Sequence, residues 1–265
     1  MPVVEVSISD LNRLVGRTLT PERVEELLPM LKCEVEGVEG DVVVYEATHD
    51  RPDLYSAEGL ARALRGLLGI ERGLPEFRTF EYGECVNEGP AYRPYIAMAT
   101  VHNLELDDEA VRQVMQLQEK LHTTYGRNRA KASIGVYDLS VLRPPFRYVA
   151  ARPDEVEFVP LDFSRSMTLG EILREHPKGR EYGHLIAGRE VYPLLVDSKG
   201  TVLSMPPIIN SEDTRVTPDT RDVVVDVTST DLRTALKVLT IMAVSYTHLR
   251  AHETEADLVC RLLLE

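Results

Sequence analysis

Val223-Val224-Val225-Asp226-Val227-Thr228 alternates with the two-residue period of a β-strand. Val224, Asp226 and Thr228 therefore share one face, and the valines at 223, 225 and 227 share the other. A carboxylate on so apolar a strand needs donors or water, because an unpaired buried charge is costly. Two readings stay open from the residues alone: a solvent-facing acid at a strand end, which is the simpler, or a pocket group. Upstream, Asp197-Ser198-Lys199-Gly200 has turn chemistry between the strand-like runs 191–196 and 202–205. A hairpin with Val196 opposite Thr201 pairs Leu195 with Val202 and Pro193 with Ser204, all four on one face.

Working outward, strand patterns are expected at 3–8, as a pair within 35–46 around Glu39-Gly40-Asp41, at 95–101, 132–137 and 147–150, and in the runs above. Helices are expected after Ser9-Asp10, after Thr20 with Pro21 in the first turn, and over 53–69 with Ser56 as cap. Leu60, Leu64, Leu67 and Leu68 form the buried face of the last. A longer helix spans 107–125, with Val111, Met115, Gln118, His122 and Tyr125 as its inward stripe. Shorter ones lie at 168–175 and 231–243. The fold class is α+β: a small N-terminal α/β domain over 1–70, a linker over 71–94, and a larger mixed, antiparallel-rich domain over 95–243.

The chain has 265 residues and a net charge of −13, too acidic for a general nucleic-acid binder, so any RNA contact must come from a local patch. Its 43% apolar content is enough for a buried core. No apolar run reaches membrane-spanning length and no leader pattern opens the chain, so a cytoplasmic protein without membrane contact is expected. Cys33 and Cys85 lack ligand or CxxC spacing, and no metal site is expected. His49-Asp50 matches the dipeptide of metal phosphohydrolases without its companion histidines, and reads as a loop.

Five stretches in one order carry a resemblance. They are His49-Asp50-Arg51-Pro52-Asp53-Leu54 ahead of 56–62; Leu117-Gln118-Glu119-Lys120-Leu121-His122 with Gly126-Arg127-Asn128-Arg129; Ile134-Gly135-Val136-Tyr137-Asp138-Leu139; Leu203-Ser204-Met205-Pro206-Pro207-Ile208-Ile209-Asn210-Ser211; and Asp226-Val227-Thr228-Ser229-Thr230-Asp231. Together they resemble the β subunit of phenylalanine-tRNA ligase in its archaeal and eukaryotic form. The stretch 71–94 is too short for the oligonucleotide-binding barrel that bacterial members usually insert there.

The resemblance implies that the larger domain edits tRNA(Phe) mischarged with tyrosine. It places the pocket at the positions matching Leu195, Ser204, Asp226 and Thr228. Tyrosine differs from phenylalanine by one hydroxyl, which a hydrophobic synthetic pocket excludes imperfectly. A second pocket with an acceptor retains tyrosine, whereas phenylalanine leaves that acceptor unpaired. His122 is a second-tier candidate, because a histidine on such a helix face is more often a hydrogen-bonded core residue. Arg127, Arg129 and Lys131 either neutralise the preceding helix dipole or contact the tRNA acceptor end. No catalytic residue is singled out.

The complete family enzyme is an α2β2 tetramer using ATP and Mg²⁺. No ATP motif occurs here, so no cofactor is expected on this chain and aminoacylation falls to the α subunit. A non-catalytic scaffold for that subunit and a free-standing trans-editing protein are the rival readings. Finally, Val244-Ser245-Tyr246-Thr247-His248-Leu249-Arg250-Ala251-His252-Glu253-Thr254 and residues 258–265 resemble the two ends of a translated sequencing adapter. Residues 244–265 are accordingly expected to add nothing to the fold.

Overall fold

Residues 1–73, 79–246, 249, 259–261 and 263–264 are described by a computed structural model of the chain. The chain opens with β1 (Val3–Ser7), α1 (Ile8–Val15), α2 (Pro21–Leu27), β2 (Cys33–Glu39), β3 (Val42–Ala47) and α3 (Ala57–Leu67). The three strands form an antiparallel sheet in the order β1-β3-β2. Thr20 and Ser56 cap α2 and α3 as their sequence positions predict. The cap of α1 is Ser7 rather than Ser9 or Asp10, since Ser7 Oγ accepts from Asp10 N at 3.1 Å while Asp41 holds Ser9 N. Leu60 and Leu64 are buried on α3, but Leu67 is 37% exposed because the helix runs off the core there.

The larger unit continues with β4 (Thr79–Phe80), β5 (Glu84–Glu88), β6 (Tyr95–Val101), α4 (Asp108–Thr123), β7 (Ala132–Asp138) and β8 (Phe146–Ala151). Then come β9 (Glu157–Phe158), β10 (Met167–Thr168), α5 (Leu169–Glu175), α6 (Pro177–Tyr182), β11 (Tyr192–Val196), β12 (Val202–Met205) and β13 (Ile209–Asn210). The last elements are β14 (Val223–Ser229), α7 (Leu232–Tyr246), β15 (Val259–Arg261) and β16 (Leu263–Leu264). One sheet runs β4-β15-β6-β14-β7 and the second β13-β12-β11-β8-β5-β16. The mixed, antiparallel-rich α+β architecture is the expected one.

The period of β14 decides the layering. Val223, Val225 and Val227 join Leu117, Leu121, Val238 and Met242 in a core with α4 and α7, and that core is continuous with the N-terminal sheet. Val224 lies in a second core with Leu195, Leu203, Phe146 and Tyr148 from the facing sheet. Gln113 on α4 ties the N-terminal unit down, accepting from Ala57 N and donating to Glu5 O, both at 3.2 Å.

Four features differ from expectation. The stretch expected as a linker around one partial strand delivers β4 and β5, and β5 pairs parallel with β8 and buries Cys85, so strands of the larger unit begin before residue 95. Glycines and prolines around β5 conceal its pattern; residues 74–78 of that stretch lie outside the described residues. On α4 the core-facing stripe is Ala110, Val114, Leu117 and Leu121, while Met115, Gln118 and His122 turn to a cleft.

In the hairpin, Leu195 pairs with Ser204 and Val196 with Val202 across a bulge. The predicted pairs, with Val196 opposite Thr201, do not form. Asp197 Oδ1 accepts from Lys199 N and Thr201 N, tightening the loop and moving the register.

Residues beyond Ala243 also take part. α7 continues through Tyr246, which is 1% exposed, Ser245 Oγ lies 3.1 Å from Ser56 Oγ, and Leu249 O accepts from Glu105 N at 2.8 Å. β15 pairs with β4 and β6, and β16 with β5. Tyr246 extends the buried stripe of α7. Residues 247–248, 250–258, 262 and 265 of the expected tail lie outside the described residues.

Candidate functional site

Beside α4 the two facing sheets leave a cleft of about 570 Å³. Its walls include the edge strand β7, the cleft-facing side of α4 and the turn from Pro206 to Asn210. An open strand edge must be paired or covered. Three side chains do this here: Ile134 N donates to His122 Nε2 at 2.8 Å, Gln118 donates to Ile134 O at 2.8 Å, and Asn210 donates to Val136 O at 3.3 Å.

Asp226 lines this cleft and is 1% exposed, which removes the solvent-facing reading. It sits on β14 opposite Met98 of β6 and Gly135 of β7. Tyr137, two residues beyond Gly135 on the same face, donates its hydroxyl to Asp226 Oδ1. The same phenol oxygen lies 2.7 Å from Ser204 Oγ. With one proton to give, the phenol serves the carboxylate and accepts from the Ser204 hydroxyl. A Cβ at residue 135 would lie 1.8 Å from the Tyr137 hydroxyl oxygen and 2.3 Å from Asp226 Oδ1, so glycine alone leaves room for their meeting.

Burial raises the Asp226 carboxyl to about 7, against the opposing pull of the Tyr137 hydrogen bond, the Arg93 charge and the Gly135 backbone. Tyr137, fully buried beside that carboxylate, is driven well above the usual phenol range and stays protonated.

Arg93, in the turn before β6, has no counterpart among the residues that the sequence singles out. It is 3% exposed and donates to Thr228 Oγ1, Thr228 O and Ser133 Oγ, each at 2.9 Å. It also reaches Arg129 O at 3.2 Å and Ala130 O at 3.4 Å. Burial pulls its guanidinium down to about 10. The strand periodicity that predicts which face Thr228 takes says nothing of a residue 135 positions away. Tyr137 could have been suspected from the run Gly135-Val136-Tyr137, whose odd positions share a face.

The structure thus brings together Ser204, Asp226 and His122 as cleft-lining residues. Leu195 pairs with Ser204 and Thr228 lies two positions from Asp226, but both are fully buried and neither reaches the cleft. His122 is 3% exposed with Nε2 used by Ile134 N and Nδ1 3.5 Å from Glu119. Burial lowers its pKa to about 4, so it is a neutral, doubly engaged side chain that covers the β7 edge.

The three cations separate. Arg127, Asn128 and Arg129 follow one another at positive φ (49°, 52° and 66°), a left-handed turn costly for side-chain-bearing residues. Arg93 fastens that turn by its carbonyls. Arg129 donates to Pro207 O and Ile208 O at 3.3 and 3.0 Å and stacks 4.3 Å from the Tyr182 ring centroid, as a strut of the cleft. Arg127 is exposed and Lys131 lies 3.1 Å from Asp231, both beside a second hollow with His49, Arg233 and Lys237. Among the described residues no group of three or more His, Cys, Asp or Glu side chains is arranged to hold a metal ion, and no helix is long and apolar enough to cross a membrane.

No family model matches the chain. Among curated proteins it is 59% identical over 244 residues to the phenylalanine-tRNA ligase β subunit of Thermofilum pendens, covering 92% of this chain and 44% of that protein. It is 49% identical over 251 residues to the same subunit of Pyrococcus furiosus, covering 91% and 45%. The chain therefore spans less than half the length of these relatives. Among solved structures, an N-terminal fragment of the phenylalanyl-tRNA synthetase β-subunit from Pyrococcus horikoshii matches with a TM-score of 0.92 and 41% identity, over 100% of this chain and 77% of that one.

Proposed function

The chain belongs to the family of phenylalanine-tRNA ligase β subunits, and from that premise we propose that its larger unit removes tyrosine misattached to tRNA(Phe). The observation that carries this reading is the buried Asp226 carboxylate lining the cleft. A desolvated acceptor favours a ligand hydroxyl over a hydrogen strongly, because the analogue lacking it leaves the acceptor unpaired. Ser204 adds a second hydroxyl beside it. His122 is spoken for by the β7 edge, so the hydrolytic water takes its activation from elsewhere, with the tRNA ribose hydroxyl as the nearest chemical source.

In this reading the chain works beside an α subunit in an α2β2 assembly in the cytoplasm. ATP and Mg²⁺ serve aminoacylation on that partner. The acceptor end of tRNA(Phe) approaches with its phosphates toward Arg127 and Lys131, while Arg129 serves the cleft wall. The rival reading is a scaffold without activity, and it draws on Tyr137, whose phenol already takes one oxygen of Asp226.

Hydrolysis of Tyr-tRNA(Phe) by the full chain tests the proposal. Asp226→Ala should fold and lose about ten- to a hundredfold in rate, the worth of a hydrogen bond to a charged group. Wild-type rates in a folded Asp226→Ala protein would remove Asp226 from the site. No hydrolysis by the unsubstituted chain would favour the scaffold.

A further inference from the structure

We propose that Tyr137 is a specificity-determining positioning residue: held between Ser204 and Asp226, its phenol occupies Oδ1 of the carboxylate and leaves Oδ2 to accept a ligand hydroxyl. This inference rests on the editing reading and deepens it. Three observations carry it. The phenol donates to Oδ1 while lying 2.7 Å from Ser204 Oγ, so its own oxygen is satisfied and its orientation fixed from both sides. Gly135 lacks the Cβ that would strike both partners, so the backbone of β7 is shaped around this contact. The one side-chain hydrogen bond to the carboxylate among the described residues falls on Oδ1, the Gly135 backbone is the other group bonded to it, and Asp226 lines the cleft.

Discrimination follows from counting lone pairs. A carboxylate free on both oxygens could be satisfied by water at one and ligand at the other in several arrangements. With the phenol on Oδ1, a ligand hydroxyl is directed to Oδ2, and a phenylalanyl group leaves that oxygen bare. The donated bond also favours the charged form of Asp226, the stronger acceptor. Other groups facing the carboxylate are Arg93 from the turn before β6, Gly135 N from β7, and Tyr148 and Cys85 from the opposite sheet. Arg93 attracts the charge, and Tyr148 and Cys85 are neutral protonated groups at neutral pH.

Tyr137→Phe removes the donor and keeps the ring. Two readouts apply. Carboxyl-carbon NMR of the ligand-free chain should show the Asp226 midpoint moving up by about one pH unit, a tenfold change in proton affinity. Discrimination between Tyr-tRNA and Phe-tRNA should then be about tenfold worse than wild type at pH 6 and within about twofold at pH 8, where the variant carboxyl is about half charged. Ser204→Ala, which keeps the phenol but removes its donor, should move the same midpoint upward by less. It stands in for the first variant should Tyr137→Phe not fold.

An unmoved midpoint in either folded variant, or discrimination unchanged from wild type at pH 6, overturns the proposal and leaves Tyr137 a packing residue. If the unsubstituted chain hydrolyses no Tyr-tRNA, the editing reading and the specificity role fall together. The NMR midpoint then still decides whether Tyr137 governs the charge of Asp226.

Discussion

Replacing Asp226 by asparagine should change how stability depends on pH, in a direction and amount that the burial of the carboxyl fixes. In the folded chain its pKa stands at about 7 instead of the ordinary 3.8. Between those values the folded protein holds a proton that the unfolded chain releases. Stability therefore falls as pH rises: the penalty is absent below about 4, grows across the window and is complete above about 7. A displacement of that size is worth roughly 4 kcal/mol.

The asparagine amide does not titrate, so the stability of Asp226→Asn minus that of wild type should rise by about 4 kcal/mol from pH 4 to pH 8. Any pH-independent effect of the amide on Tyr137 or Arg93 only offsets the curve. The difference also cancels other buried groups. Glu58, raised to about 7 by full burial, loses stability in the same window. His122, lowered to about 4, acts oppositely, losing stability as pH falls below its unfolded value of about 6.5. Urea midpoints at half-unit pH steps for both proteins give the curve. A difference flat to within about 1 kcal/mol from pH 4 to 8 would refute the buried, protonatable carboxyl and the cleft built on it.

Two further outcomes are expected. Arg93→Met should lower stability by about 3 to 5 kcal/mol, because it strips donors from Thr228, Ser133 and the 129–130 carbonyls together; a urea midpoint corresponding to less than about 1 kcal/mol would mean the turn holds without it. Ending the chain at Ala243 should cost about 2 kcal/mol through loss of the buried Tyr246 ring. An unchanged midpoint would return residues 244–265 to the adapter reading, in which they add nothing.

By itself the sequence determined the elements and the faces. The strict alternation of 223–228 assigned Val224, Asp226 and Thr228 to one side of β14 and the three valines to the other, because side-chain direction in a strand depends on local backbone geometry alone. Caps at Thr20 and Ser56 were legible for the same reason, being satisfied within one helical turn. Ordered motifs revealed the family, and the relatives bear it out.

What lies across the chain was not legible. Whether Asp226 meets water or donors depended on Tyr137 and Ser204, 89 and 22 residues away in sequence: the pairing of β14 with β7 brings the first to it and the packing of the second sheet brings the other. The hairpin register turned on a loop carboxylate, Asp197, whose bonds to Lys199 and Thr201 override simple pairing. Thr228 and Leu195 are fully buried beside Asp226 and Ser204, and His122 bonds the β7 edge, none of which the face pattern gives. Burial, exposed edges and shared protons are properties of surfaces brought together. They arise when the sheets pack and have no local signature for a sequence to carry.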